Sequence, residues 1–143
     1  MTIEIDWLIP GRIVLHRFSG IVTLEDTTQA SLEGPELASK GQPPVHMFVD
    51  LATVTHFPLS VRQLEIAIRH NPHLDRLGWV VILVPHNPVL RFVATILTQI
   101  RYSKLRFLIV EDRAQGMCSF LKHAPSLAGF ISPAGDLITP PAA

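Results

Sequence analysis

Apolar and polar positions along the chain follow two different periods. Ile3, Ile5 and Trp7 alternate with acidic residues, which indicates a strand with one solvent-facing side. Continuous apolar runs at 45–49 and 79–84 indicate strands that are buried on both faces of a sheet. Between these runs the apolar residues recur at helical spacing. The resulting order, ββαβαβαβα, predicts an α/β fold in which a mixed sheet has a parallel core and right-handed crossovers.

The central unit of the chain spans residues 45–68. A strand at 45–51 is followed by a loop and by a helix that begins at Ser60. Ser60 and Gln63 have the spacing of a capping box, in which the hydroxyl accepts a hydrogen bond from the backbone N–H at position 63. Leu59 and Leu64 have the spacing of a hydrophobic staple. We therefore expect Ser60 to cap this helix.

The amino-terminal part of the chain is expected to form a hairpin and then a helix. Pro10 and Gly11 fit the central positions of a type II turn between two antiparallel strands. Thr23 and Asp26 have the spacing of a helix start. This helix is expected to break or kink at Gly34–Pro35, because proline removes a backbone donor and crowds the preceding turn.

The carboxyl-terminal part is expected to hold a strand over 104–110 and a helix that Asp112 caps and Pro125 ends. The domain should therefore span residues 1–125. We expect a loose tail over 126–143, whose apolar pairs at 130–131 and 137–138 could still dock on the body.

The helix predicted over 89–100 has an unusually wide apolar side. Asn87 and Pro88 suit its cap and first position. Its apolar side chains cover an arc of roughly 160°. Most of this surface should pack on the sheet, but part of it could line a cavity for an apolar ligand or form a seam between two subunits. The side chains concerned are Phe92, Val93, Ile96, Leu97 and Ile100.

Composition limits the classes of partner. The chain has 143 residues, 48% of them hydrophobic, which fits one globular domain. Its formal net charge of zero argues against a general nucleic-acid binder. Residues 1–60 hold three basic and seven acidic residues (3 − 7 = −4), and residues 61–143 hold nine and five (9 − 5 = +4). This asymmetry indicates an acidic partner surface, a head-to-tail self-contact, or only an uneven spread of surface charge.

Cysteine usage and hydropathy indicate a soluble cytoplasmic protein. Cys118 is the only cysteine, which excludes an intramolecular disulfide and fits a reducing compartment. We expect this thiol to be buried on the apolar side of the last helix. The first residues lack the basic and apolar regions of a signal peptide. The longest apolar run, 79–85, is too short to cross a bilayer, so no integral membrane association is expected.

Residues with catalytic or metal-binding chemistry form no known motif in this sequence. His70 and His73 are three positions apart, but they are better placed to end a helix than to bind a metal ion. His46, His56 and Asp50 could form an acid–base site if the fold brought them together. The more common role for a carboxylate such as Asp50 is to accept backbone N–H groups of a loop. We therefore expect no catalytic residues, no metal site and no cofactor.

Three segments resemble the STAS class, which includes the anti-sigma-factor antagonists and the carboxyl-terminal domains of sulfate transporters. Residues 49–54 (VDLATV) are similar to the strand and loop before the family's signature helix. Residues 13–23 are similar to its hairpin strand, which ends in G-x-(V/L)-T. Residues 107–121 are similar to the last strand and helix of a SpoIIAA-like subgroup. The resemblance covers roughly residues 3–123 and implies a sheet with helices mainly on one face.

In the antagonists of this family, the start of the signature helix is the partner-facing surface and carries a serine that a kinase phosphorylates. At the corresponding positions this chain has Pro58, Leu59, Ser60 and Val61. Only Ser60 matches the family's pattern, because its aspartate and glycine are absent here. The SpoIIAA-like subgroup, whose members often lack the switch, is the closer analogy. The resemblance therefore implies a non-enzymatic regulatory domain that binds a protein partner or a second copy of itself. The alternative is a carrier of a fatty acid or another lipid.

Overall fold

The computed structural model describes residues 3–56, 77–84, 86–88, 91–92, 95 and 106–138. These residues form one five-stranded sheet in which the strands lie side by side in chain order. The first pair of strands is antiparallel and the following pairs are parallel. The strands are β1 (Ile3–Ile9), β2 (Ile13–Ile21), β3 (Val45–His56), β4 (Leu77–Leu83) and β5 (Arg106–Val110).

The turn between β1 and β2 confirms the predicted hairpin. The backbone N–H of Arg12 donates to the carbonyl of Ile9 at 2.9 Å, which closes a four-residue turn. Gly11 has a φ of 73°, a conformation that the third position of a type II turn requires and that glycine adopts without strain.

Helix α1 (Leu24–Ala38) begins as its sequence predicts. The backbone N–H of Asp26 donates to the Thr23 hydroxyl at 3.2 Å, and the N–H of Thr23 donates to the Asp26 carboxylate at 2.9 Å. These reciprocal bonds satisfy two backbone donors at the start of the helix.

Of the break or kink predicted at Gly34–Pro35, the break is wrong, because α1 continues through both residues to Ala38. Proline removes only one helical hydrogen bond, the one to Ser31. Gly34 and Pro35 are also buried against the sheet, so packing compensates for the lost bond. A Cβ at position 34 would collide with the ring of His16, so this glycine permits the close approach of helix and strand.

Helix α2 (Arg113–His123) follows β5 directly. Its predicted cap is confirmed, since the carboxylate of Asp112 accepts a hydrogen bond from the backbone N–H of Gln115 at 2.8 Å. The predicted burial of Cys118 is wrong. Met117 and Phe120 face the sheet, whereas Cys118 is exposed and its thiol contacts the carbonyl of Pro133 at 3.7 Å.

The sheet separates two apolar layers, because successive residues of a strand point to opposite faces. Val14 and Met47 belong to the layer that α1 covers. Ile13 and Phe48 belong to the layer that α2 covers. The α/β class and the mixed sheet are thus confirmed, with α1 on one face of the sheet and α2 on the other. The helix predicted over 61–70 lies outside the described residues, and of the helix over 89–100 only positions 91, 92 and 95 are described, all of them helical.

The segment after α2 packs on the same face of the sheet as that helix. A 3-10 helix (Pro125–Gly129) places Leu127 in the second apolar layer, and Ile131 follows it there. Ile131 also pairs with Leu137 in an antiparallel bridge. Residues 126–138 therefore dock on the body, although we expected a loose tail.

Candidate functional site

Most residues singled out for the predicted binding surface lie outside the described part of the chain. This holds for Ser60, the predicted cap and candidate phosphoacceptor, and for four of the five apolar residues of the 89–100 helix: Val93, Ile96, Leu97 and Ile100. Phe92 is described, and its side chain is 67% exposed. The roles assigned to these positions remain predictions.

Asp50 binds one backbone donor, as expected, although it does not end its strand. Its carboxylate accepts a hydrogen bond from the N–H of Ala52 at 2.9 Å, next to a shift in the register between β2 and β3. The other carboxylate oxygen lies 3.6 Å from Nε of Arg17. Arg17 also contacts the carboxylate of Glu4 at 3.3 Å. A chain of three charges therefore crosses β1, β2 and β3.

The histidines proposed as partners of Asp50 do not share a site with it. His46 lies at the start of β3 and His56 at its end, so an extended strand separates them by about 30 Å. Asp50 lies between them on the same strand. A convergent acid–base site from these three residues is thus incompatible with the fold.

The sheet edge where β3, β4 and β5 begin contains an open cleft of about 410 Å³. Its described lining comes from the start of each of these strands, from the turn before β2 and from the end of α2. The polar and aromatic side chains among this lining are Arg12, His46, Trp79, Arg106, His123 and Ser126. We call this site the cationic cleft, because its described lining includes two arginines and no carboxylate.

His46 is the buried polar side chain of the cationic cleft. Its Nδ1 atom accepts a hydrogen bond from the backbone N–H of Trp79 at 2.9 Å, which requires a neutral ring with its hydrogen on Nε2. Burial, and secondarily the positive charge of Arg12, lower the pKa of His46, which favours the same neutral form. A Cβ at Gly78 would lie 2.5 Å from Nδ1, so the glycine lets the imidazole reach the backbone of β4.

Ring contacts hold three of the cleft's polar side chains in place. The ring of His123 stacks on Trp79, with 4.1 Å between the ring centres and 27° between the planes. The guanidinium carbon of Arg106 lies 5.3 Å from the centre of the Trp79 ring, and that of Arg12 lies 5.8 Å from the Phe130 ring. These are cation–π distances.

Among the described residues, the two arginines of the cleft lack the carboxylate partners that Arg17 and Arg91 have, as does the exposed Arg113 outside the cleft. Arg17 and Arg91 each lie within 3.3 Å of a glutamate oxygen. Arg12 and Arg106 make no ion pair with any carboxylate among the described residues. The cleft therefore has an uncompensated positive charge within the described structure.

A second histidine, His16, lies buried between α1 and the sheet. It is 6% exposed, and its Nε2 atom has no hydrogen-bond partner. Burial lowers the pKa of His16 to about 4, because a charged ring there would lose its hydration. The sequence signal for this burial is that His16 directly continues the apolar residues 13–15 of its strand.

No group of three or more metal-binding side chains occurs within the described ranges. The helices that the structure describes are too short or too polar to span a membrane.

Comparison with known proteins gives a likeness among solved structures. Neither a family model nor a curated protein matches the chain. Among solved structures, the chain is similar to an uncharacterized protein of the DUF3478 family from Shewanella loihica PV-4, which has a SpoIIAA-like fold. The two share 14% identity at a TM-score of 0.54, over 80% of this chain and 88% of that one. Together with the mixed sheet and the order of its strands, this likeness shows that the chain has the SpoIIAA-like fold.

Proposed function

We propose that this chain is a non-enzymatic binding domain of STAS-like type that acts through contacts with another protein or a second copy of itself. The observation that supports this most is a pair of exposed apolar side chains where β2 ends and α1 begins. Ile21 is 59% exposed and Leu24 is 49% exposed, although large aliphatic residues usually contribute to the core.

The position of this pair fits the partner surface of the resembling family. Ile21 lies opposite His56, the last described residue of β3, and the next backbone N–H, that of Val22, donates to the His56 carbonyl at 2.9 Å. Ser60 follows His56 by only four residues. The exposed pair is therefore at the sheet edge where the signature helix is predicted to begin.

The test compares two surface variants of the full chain. Cross-linking in the source cells identifies a partner, and titration calorimetry with purified components then measures its affinity. If the partner is a second copy of the chain, sedimentation velocity measures the self-association instead. We expect the double variant Ile21→Ser, Leu24→Ser to weaken binding about tenfold or more, as loss of a well-packed apolar contact does.

The matched control is Ile138→Ser, which removes an apolar side chain that is 42% exposed on the carboxyl-terminal segment. This variant should bind like the wild type. Equal affinity of wild type and double variant for every partner, with no change in self-association, would contradict the proposal. So would a catalytic turnover that the purified chain sustains.

A further inference from the structure

The cationic cleft lies at the opposite sheet edge from the exposed pair Ile21 and Leu24, and it has no role in the proposed partner contact. We infer that this cleft is a binding site for a small molecule that carries a phosphate group. The inference stands independently of the proposed function, because no residue of the exposed pair lines the cleft.

The first argument is charge. Arg12 and Arg106 line one cleft, and neither makes an ion pair with a described carboxylate. Both guanidinium groups are positively charged, so an anion in the cleft is attracted by each of them. A phosphate monoester carries a charge of about −1.5 to −2 at neutral pH, so it can neutralise both groups.

The second argument is hydrogen bonding. A phosphate oxygen accepts hydrogen bonds only, so the site must present donors. Each guanidinium group is planar and can donate two parallel hydrogen bonds to an oxyanion, which is bidentate binding. His46 adds a donor of defined tautomer, because its Nδ1 atom is occupied by the N–H of Trp79 and its hydrogen must reside on Nε2. The ring can therefore donate from Nε2 even in its neutral form.

The third argument is preorganisation. Arg106 lies over Trp79, Trp79 stacks on His123, and Arg12 lies over Phe130. Side chains held by ring contacts lose less rotational freedom when a ligand binds. Stacking also leaves the edge N–H groups of a guanidinium free to meet an anion.

The fourth argument concerns the rest of the ligand. The volume of about 410 Å³ falls within the range of small-molecule sites, roughly 300–1,000 Å³, so the cleft has room for more than a bare phosphate. The buried side chains of Leu77 and Leu127 and the half-buried ring of Trp79 supply apolar lining. An organic group attached to the phosphate can pack there. A free phosphate ester and a phospholipid headgroup share this chemistry.

The test uses the fluorescence of Trp79 as a direct signal. The chain contains two tryptophans, so a Trp7→Phe background leaves Trp79 as the sole reporter. This protein is titrated with inorganic phosphate and with phenyl phosphate. We expect a saturable change in fluorescence with both, and tighter binding of phenyl phosphate because its ring adds apolar contact.

Charge variants decide whether binding is specific to the cleft. We expect Arg12→Gln and Arg106→Gln each to weaken phenyl phosphate binding about tenfold or more, the effect of losing a hydrogen bond to a charged group. Arg113→Gln is the matched control, because it removes the same charge from an exposed position outside the cleft. It should bind phenyl phosphate like the parent. Arg106 is exposed at the start of β5, so its variant is informative even if Arg12→Gln fails to fold.

Vesicles distinguish the two sources of the phosphate. Cosedimentation with phosphatidylcholine vesicles containing phosphatidic acid, abolished by Arg106→Gln but not by Arg113→Gln, would support the site and assign it to a lipid headgroup. Binding of phenyl phosphate without cosedimentation would support a free phosphate ester. Two results would overturn the inference: no saturable binding of any of these probes, or equal weakening by all three arginine variants.

Discussion

Lowering the pH should destabilise this protein through His16. The pKa of this ring is about 4 in the folded protein, against a usual value of 6.5 for an unfolded chain. Between these two values the unfolded state binds a proton that the folded state excludes, so unfolding is favoured as the pH falls. Above pH 6.5 the ring is neutral in both states, and the protein keeps its full stability. Below pH 6.5 the free energy of unfolding falls, and this loss is complete once the pH has fallen through 4.

The size of this effect follows from the two pKa values. Each pKa unit corresponds to about 1.4 kcal/mol, so His16 alone should lower the free energy of unfolding by about 3 kcal/mol across this window. That is a large fraction of the roughly 5–15 kcal/mol that stabilises a typical domain. His46 acts in the same direction, because its pKa is lowered as well.

The assay is urea unfolding at a series of pH values from 7.5 to 4.5, performed on the wild type and on His16→Leu. The variant removes the titrating ring and its unpaired Nε2 atom, while carboxylates and other histidines contribute equally to both proteins. We expect the variant to be at least as stable as the wild type at pH 7.5, and the difference in its favour to grow as the pH falls. Parallel stability curves for the two proteins would refute the reasoning, as would an NMR titration that gives His16 a pKa near 6.5.

Three further substitutions test the local structure. Gly34→Ala should destabilise the protein by about 1–3 kcal/mol or more in thermal unfolding, because its Cβ meets the His16 ring, and an unchanged midpoint would contradict the packing of α1. Thr23→Ala should cost about 0.5–2 kcal/mol and Thr23→Asp much less, since only the latter keeps a capping oxygen; equal losses in urea unfolding would exclude a cap. Ser60→Ala should also cost about 0.5–2 kcal/mol, whereas Ser60→Asp should nearly preserve stability. A phosphopeptide spanning 55–62 in protein from the source cell would instead support regulation of Ser60 by a kinase.

Local signals predicted the elements well. The hairpin turn at Gly11 and the helix caps at Thr23 and Asp112 depend on residues within a few positions of each other, so the sequence alone specifies them. The errors arose where distant residues decide the outcome. Gly34–Pro35 stays helical because the helix packs on His16, a strand residue that is 18 positions away.

The cationic cleft could not be predicted for a similar reason. Its lining comes from five separate segments, and its central contact depends on the register that sets Val45 opposite Leu77. That register brings Trp79 to His46 from 33 positions away, together with its neighbour Gly78. Because β3 and β4 are apolar on both faces of the sheet, the pattern of apolar residues does not specify their register.

The order of the strands has a consequence for synthesis on the ribosome. Each strand of the described sheet pairs with the one made just before it, so the sheet can grow in the direction of translation. Phe48 and Val81, however, face α2, whose Gly116 and Phe120 pack against this side of the sheet. A nascent chain that has released β1 to β5 but not α2 thus exposes an apolar surface. Chains that stop before residue 113 should aggregate or recruit chaperones, whereas chains that extend through residue 131 can cover that surface.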